Sequence, residues 1–210
     1  MITFDSILLV LFAYLTGAFP SAVWVGRTFF NTDVREYGSG NAGATNTFRV
    51  LGKGAGIPVL LMDIFKGWIA VNYVWLISDA SSLSAELFFE NQLTFGIAAV
   101  IGHLFPIYTG FRGGKGIATM LGLLIGLDPY AALFSVAIFI VILLISRYVS
   151  LASMIASLAF PFFVMFFLKS TNNPLNLFAI FVPILSLITH QKNIERLIKG
   201  EETKVKFGKK

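Results

Sequence analysis

The sequence contains no cysteine, which excludes disulfides and thiol chemistry. Charge is scarce: Asp, Glu, Lys and Arg make up 13% of 210 residues, against 56% hydrophobic, which excludes an ordinary soluble domain. No Pro-, Gly- or Ser-rich linker, low-complexity block or internal repeat divides the chain. Its start, MITFDSILLVLFAYLTGAFPSA, lacks the basic n-region of a signal peptide. It also carries Asp5 and has Pro20 where cleavage would fall, so it reads as a retained first helix. No cluster of metal-ligating side chains is visible, and neither a metal nor a cofactor is expected.

What is present is a series of apolar runs, at roughly 4–26, 54–77, 92–110, 117–127, 130–146, 149–168 and 174–190. The fourth is short, about 16 Å of helix against a hydrocarbon core of about 30 Å. Charge decides how it is counted. The loop 27–53 holds Arg27, Arg35, Arg49 and Lys53; the loop 78–91 holds Asp79, Glu86 and Glu90 without Lys or Arg; the next loop holds Arg112 and Lys115. Basic loops stay in the cytoplasm, which puts the N-terminus outside. If 117–146 were one crossing, the basic tail KGEETKVKFGKK would end outside; as two, Arg147 and the tail fall inside. The expectation is an all-α, polytopic integral membrane protein. It has about seven transmembrane helices, some short, a cytoplasmic C-terminus and one domain over 1–210. Five or six spans plus a re-entrant segment is the alternative. A net charge of +5 concentrated in loops and tail points to a membrane face, not to nucleic acid.

The stretch GSGNAGATN matches the dinucleotide fingerprint G-x-G-x-x-G at Gly38, Gly40 and Gly43, and Asp63 follows about 20 residues later. Its context is wrong. No buried strand precedes it, and Asp63 sits in an apolar helix. The physical content of the motif survives, because small residues let successive backbone N–H groups line a concavity for phosphate. Asn41, Thr45 and Asn46 add polar groups, and Arg49 follows. A second constellation, GHLFPIYTGFRGGKGIAT, sets Gly113, Gly114, Lys115 and Gly116 at the start of a helix, an anion site by dipole and donors. It is not a Walker A motif, since Gly116 stands where Ser or Thr is required. In THQKNIERLIKGEETK, His190 and Asn193 are spaced to share a helix face. Asp63 and Lys66 are i, i+3 neighbours in an apolar run, where charges pair. Ser150 reads as a helix cap. By the topology above, all three constellations face the cytoplasm. A transporter or channel for phosphate or a phosphorylated metabolite is the rival reading, but it would need polar residues reaching the far side and inverted repeats.

These three segments, with LMDIFKG and SLASMIASLAFP, resemble in order the motifs of the bacterial acyl-phosphate:glycerol-3-phosphate acyltransferases of the PlsY type. The resemblance implies a seven-helix enzyme of the bacterial inner membrane with a cytoplasmic active site. It implies transfer of a fatty acyl group from acyl phosphate to the 1-hydroxyl of glycerol 3-phosphate, giving lysophosphatidic acid. The implied partners are those two substrates, the bilayer and an enzyme that makes acyl phosphate. The family's site residues carry over to Ser39, Arg49, Lys115, His190 and Asn193, to the GGKG glycines, and to Glu202 in preference to Glu201. No catalytic triad is required, because an acyl phosphate already carries a weakly basic leaving group. Proton transfer to a substrate phosphate is favoured over His190 as base.

Overall fold

The computed structural model describes residues 4–205, so the last five residues of the basic tail lie outside the described region. Ten α-helices run along the described chain: α1 Phe4–Ala18, α2 Ser21–Phe30, α3 Ala44–Leu51, α4 Lys53–Asn72, α5 Ala85–Leu104, α6 Ile117–Leu127, α7 Pro129–Ser146, α8 Val149–Phe162, α9 Asn173–Thr189 and α10 Gln191–Ile198. Among the described residues there is no strand. Four segments are long and apolar enough to cross a bilayer, and six if each of two bent pairs counts as one span; α6 is a further, shorter apolar helix. In lipid every backbone polar group must find its partner within the segment, and helices meet that demand.

The apolar runs end where local chemistry ends them. Ser84 starts α5 by accepting the N–H of Leu87 at 3.2 Å, and Asn172 starts α9 by accepting that of Leu175 at 2.9 Å. The first run, read from sequence as one helix, is broken. Pro20 has no N–H, α1 stops at Ala18, α2 begins at Ser21, and the two are bent by 42°. The last apolar run also meets a bend, of 62°, between α9 and α10.

The chain forms two compact units, the first ending at Asp128 and the second beginning at Pro129. In the first, α1 packs on α5 and α4 on α6. Apolar burial gives little drive between helices already surrounded by lipid, so close fit must hold them. Glycine supplies it: a Cβ at Gly122 would collide with the carbonyl oxygen of Ile64, and one at Gly102 with that of Tyr14. Ala22 and Val25 of α2, Val34, and Ala55 and Val59 of α4 form a buried cluster, with Ala44 and Leu51 of α3 packed against it. In the second unit, α8 packs on both α7 and α9. Only 11% of α7 is buried, and Leu133, Val141, Leu144 and Ile145 are exposed. A face so apolar marks contact with lipid.

Candidate active site

The first Gly-rich loop is built around Asn46, whose side chain is 1% exposed. Its Oδ1 accepts the backbone N–H of Ser39 at 2.9 Å, and its Nδ2 donates to the carbonyls of Val34 at 2.7 Å and Tyr37 at 3.1 Å. The loop therefore closes on its own helix. Gly38, at φ 62°, must be glycine: the conformation is left-handed, and a Cβ would collide with Asn46 Oδ1. The same Cβ would lie 3.4 Å from Cδ of Arg49, so the Arg49 stem runs beside the loop and its head is exposed. Asp33 braces the other end, pairing with Arg27 at 2.8 Å and Arg35 at 2.7 Å. The hydrogen bond from Arg35 holds its carboxyl well below the usual carboxylate range, against the opposing effect of burial. Arg35 also donates to the Thr109 carbonyl at 3.2 Å, which ties the first loop to the second.

The second loop folds onto the end of α5. The Gly114 N–H donates to the His103 carbonyl at 3.1 Å, and a Cβ at Gly113 would collide with that same oxygen. Gly116, at φ 82°, caps α6, and Lys115 beside it is half-buried. Neither α3, capped by Gly43, nor α6 has its first turn closed by a side chain. Both helices thus begin on glycine with N–H groups available to an anion, and each has a cation close by in sequence.

In the second unit, Glu202 is buried and collects three donors. Ser150 Oγ donates to Oε1 at 2.9 Å, Asn193 Nδ2 to the same oxygen at 2.8 Å, and Arg196 Nε to Oε2 at 2.8 Å. Burial pushes this carboxyl upward, and the bonds from Arg196, Asn193 and Ser150 outweigh it, so Glu202 lies below the usual range. His190 is 2% exposed at the joint of α9 and α10. Its Nδ1 lies 2.8 Å from the Ser186 carbonyl, which can only accept, so Nδ1 is the donor there and the ring orientation is fixed. Among the first unit's residues the arrangement has the donors and charge that suit an anion; in the second it fixes the orientation of an imidazole and a carboxamide.

The family model for glycerol-3-phosphate acyltransferase matches residues 7–200. The chain belongs to the glycerol-3-phosphate acyltransferase family. The family's enzyme from Staphylococcus saprophyticus is 45% identical over 202 residues, covering 96% of this chain and 98% of the relative; that from Enterococcus faecalis is 43% identical over 209 residues, covering 96% and 93%. The crystal structure of PlsY (YgiH), an integral membrane glycerol 3-phosphate acyltransferase, in its glycerol 3-phosphate form superposes with a TM-score of 0.84 at 35% identity, covering 96% of each chain. Its lysophosphatidic acid form gives 0.80.

The residues singled out in this acyltransferase fall into distinct places. Ser39, Gly38, Gly40 and Asn41 lie on the first loop, and Gly43, Thr45, Asn46 and Arg49 on or at the start of α3. The carboxamide of Asn46 is used inside the loop, so its contribution is to hold Ser39, a role that residue type alone does not reveal. Gly113, Gly114, Lys115 and Gly116 form the second turn. His190 is the cap residue of α10 and Asn193 lies in its first turn, with the Asn193 N–H donating to the His190 carbonyl at 2.8 Å; both are buried. Ser150 does not serve as a cap; it lies inside α8 and binds Glu202. Arg196, which sequence reading passed over, sits three residues after Asn193 and holds the same carboxylate.

Proposed function

We propose that this acyltransferase moves a fatty acyl group from acyl phosphate to the 1-hydroxyl of glycerol 3-phosphate, giving lysophosphatidic acid and inorganic phosphate. The observation that carries the reading is the pair of glycine-capped helix starts in one unit, with Arg49 on one helix and Lys115 at the other. Two phosphate-bearing substrates repel: two unit charges about 5 Å apart at an effective dielectric of about 20 cost roughly 3 kcal/mol. Arg49 would grip the glycerol phosphate in bidentate fashion, and Lys115 with the Gly113–Gly114 turn would take the acyl phosphate. Relatives known in glycerol 3-phosphate and lysophosphatidic acid forms support this choice of acceptor and product.

The hydroxyl oxygen attacks the acyl carbon, the carbon–oxygen bond to phosphate breaks, and the departing phosphate takes the electron pair. The hydroxyl proton passes to a substrate phosphate, whose second pKa is near about 6. Ser39 and Asn193 serve orientation, and His190 is the protein's alternative base. Residues 1–210 act as one acyltransferase domain in the bacterial inner membrane, with about seven crossings, the N-terminus outside and the active site open to the cytoplasm. The enzyme that supplies acyl phosphate is the expected partner.

The test is purified protein with labelled glycerol 3-phosphate and, in separate reactions, acyl phosphate, acyl-CoA or acyl-carrier protein. Turnover is expected with acyl phosphate alone. Equal turnover with acyl-CoA, without any phosphate-generating partner, assigns a different donor and overturns the reading.

A further inference from the structure

A cluster of charge lies inside the first unit, apart from the residues given roles above. Asp63 of α4 is 1% exposed, Lys66 5% and His103 of α5 6%. Asp63 Oδ1 accepts from Ser21 Oγ at 2.9 Å, pairs with Lys66 Nζ at 2.9 Å, and faces Nδ1 of His103 at 3.6 Å. Lys66 Nζ also donates to the Phe19 carbonyl at 3.1 Å, at the break between α1 and α2. Charge within a membrane segment is costly and is kept where it has a task. Helix contact alone does not explain it, because α4 already meets α6 through Gly67 and Gly122. Nor is the cluster saturated for stability: Asp63 Oδ2 is buried with no hydrogen-bond partner.

The direction of the His103 ring supplies the task. One edge faces Asp63 through Nδ1; the other faces the GGKG turn, where a Cβ at Gly114 would collide with Nε2. The backbone of the same histidine accepts the Gly114 N–H. One imidazole therefore spans from the α4 carboxylate to the turn that carries Lys115. We propose that Asp63 and His103 are positioning residues for the second Gly-rich turn, with Ser21 and Lys66 fixing the carboxylate, and that this cluster sets affinity for the acyl phosphate without touching it. The proposal rests on the assignment of acyl phosphate to the Lys115 turn made above.

The test measures each substrate separately on detergent-purified His103→Ala and Asp63→Asn variants that elute as wild type on gel filtration. KM for acyl phosphate is expected to rise about 10-fold or more, while KM for glycerol 3-phosphate stays within about 2-fold, since a positioning role acts on one site. In a double-mutant cycle with Lys115→Ala, the effect of His103→Ala should largely vanish, because the group it positions is gone. If His103→Ala and Asp63→Asn do not fold, Ser21→Ala, which removes one bond to the carboxylate, should move the same KM by a smaller factor. Equal rises in both KM values, or effects that add to that of Lys115→Ala, overturn the positioning role and leave the acyltransferase intact. A wild-type protein that transfers no acyl group from acyl phosphate overturns the underlying assignment instead.

Discussion

The carboxamide of Asn193 donates to Glu202 Oε1 at 2.8 Å, across a turn of chain that brings the tail back to the first turn of α10. Ser150 shares that oxygen, and Arg196 holds the other. Asn193 is consequently fixed by a carboxylate nine residues away, and an orienting amide needs this rigidity. The tail is pinned a second time by the Val205 N–H, which donates to the Arg147 carbonyl at 2.8 Å.

Glu202→Gln keeps the shape and removes the charge. It leaves Arg196 without its anion and turns an amide donor toward other donors, so destabilisation of about 1–3 kcal/mol at neutral pH is expected. The sign of the pH dependence follows from the depressed carboxyl of Glu202. Its contribution is complete above the ordinary glutamate value of about 4.3 and is lost as pH falls through the lower folded value. Thermal unfolding in detergent should show the gap between wild type and variant narrowing below that pH. A constant gap would mean that Glu202 contributes no charge-dependent stability.

Asn46 offers a contrasting case. Asn46→Ala strands the Ser39 N–H and the carbonyls of Val34 and Tyr37, and a loss of about 1–3 kcal/mol per buried group left unpaired is the expected scale. Asn46→Asp keeps an acceptor for Ser39 but sets a carboxylate against two carbonyl oxygens, so it should not rescue. Melting temperature and KM for glycerol 3-phosphate are the readouts. Rescue by Asp would show that the amide donors are dispensable.

Sequence patterning gave the helices with little error where apolar runs end in polar caps: the run 117–127 coincides with α6, and 130–146 differs from α7 by one residue. It was weaker where short-range and long-range forces compete. Pro20 was visible, but hydropathy runs straight across it, while its missing N–H and the clash of its ring with the preceding turn break the helix. Helix α3 has eight residues and no apolar run of its own, so it read as loop. The polar groups near the Gly-rich motifs were legible as anion-competent. What spacing cannot disclose is which of them spend their hydrogen bonds internally. Asn46 does so with Val34, and Ser150 finds Glu202 across 52 positions of sequence.

The topology is open to direct labelling, because the chain has no native cysteine to mask. Single cysteines at Ser39, Arg112 and Thr203 should react with a membrane-impermeant thiol reagent only from the cytoplasmic side, and one at Ser82 only from outside, as the asymmetry of Lys and Arg requires. Labelling of Ser39 and Thr203 from opposite faces would sink the seven-crossing arrangement.

Arg49 and Lys115 should be the costliest cations to remove. Each would break a charge-assisted contact to phosphate, typically about 2–5 kcal/mol, or roughly 30-fold to several-thousand-fold in kcat/KM. Arg49→Lys is expected to restore activity only in part, since an ammonium cannot reproduce the planar fork. Full activity in Arg49→Lys would reduce the role of Arg49 to a point charge.

The route of the proton can be separated from the binding of phosphate at His190. The Ser186 carbonyl holds Nδ1 at 2.8 Å and so fixes the orientation of the imidazole, which a general base needs. The alternative acceptor is a substrate phosphate, which requires no histidine. His190→Gln distinguishes them. If phosphate takes the proton, the variant keeps measurable turnover at neutral pH, and the acid limb of its pH–rate profile matches that of wild type. If His190 is the base, turnover falls by about 10²–10⁴-fold and the acid-side limb set by the histidine disappears with it. The variant must first melt as wild type does, because the residue sits at the α9–α10 joint and its backbone N–H donates to Ser186 at 3.1 Å. Retained turnover with an unchanged limb is the expected result; loss of both would assign the proton to His190 while leaving acyl transfer to glycerol 3-phosphate in place.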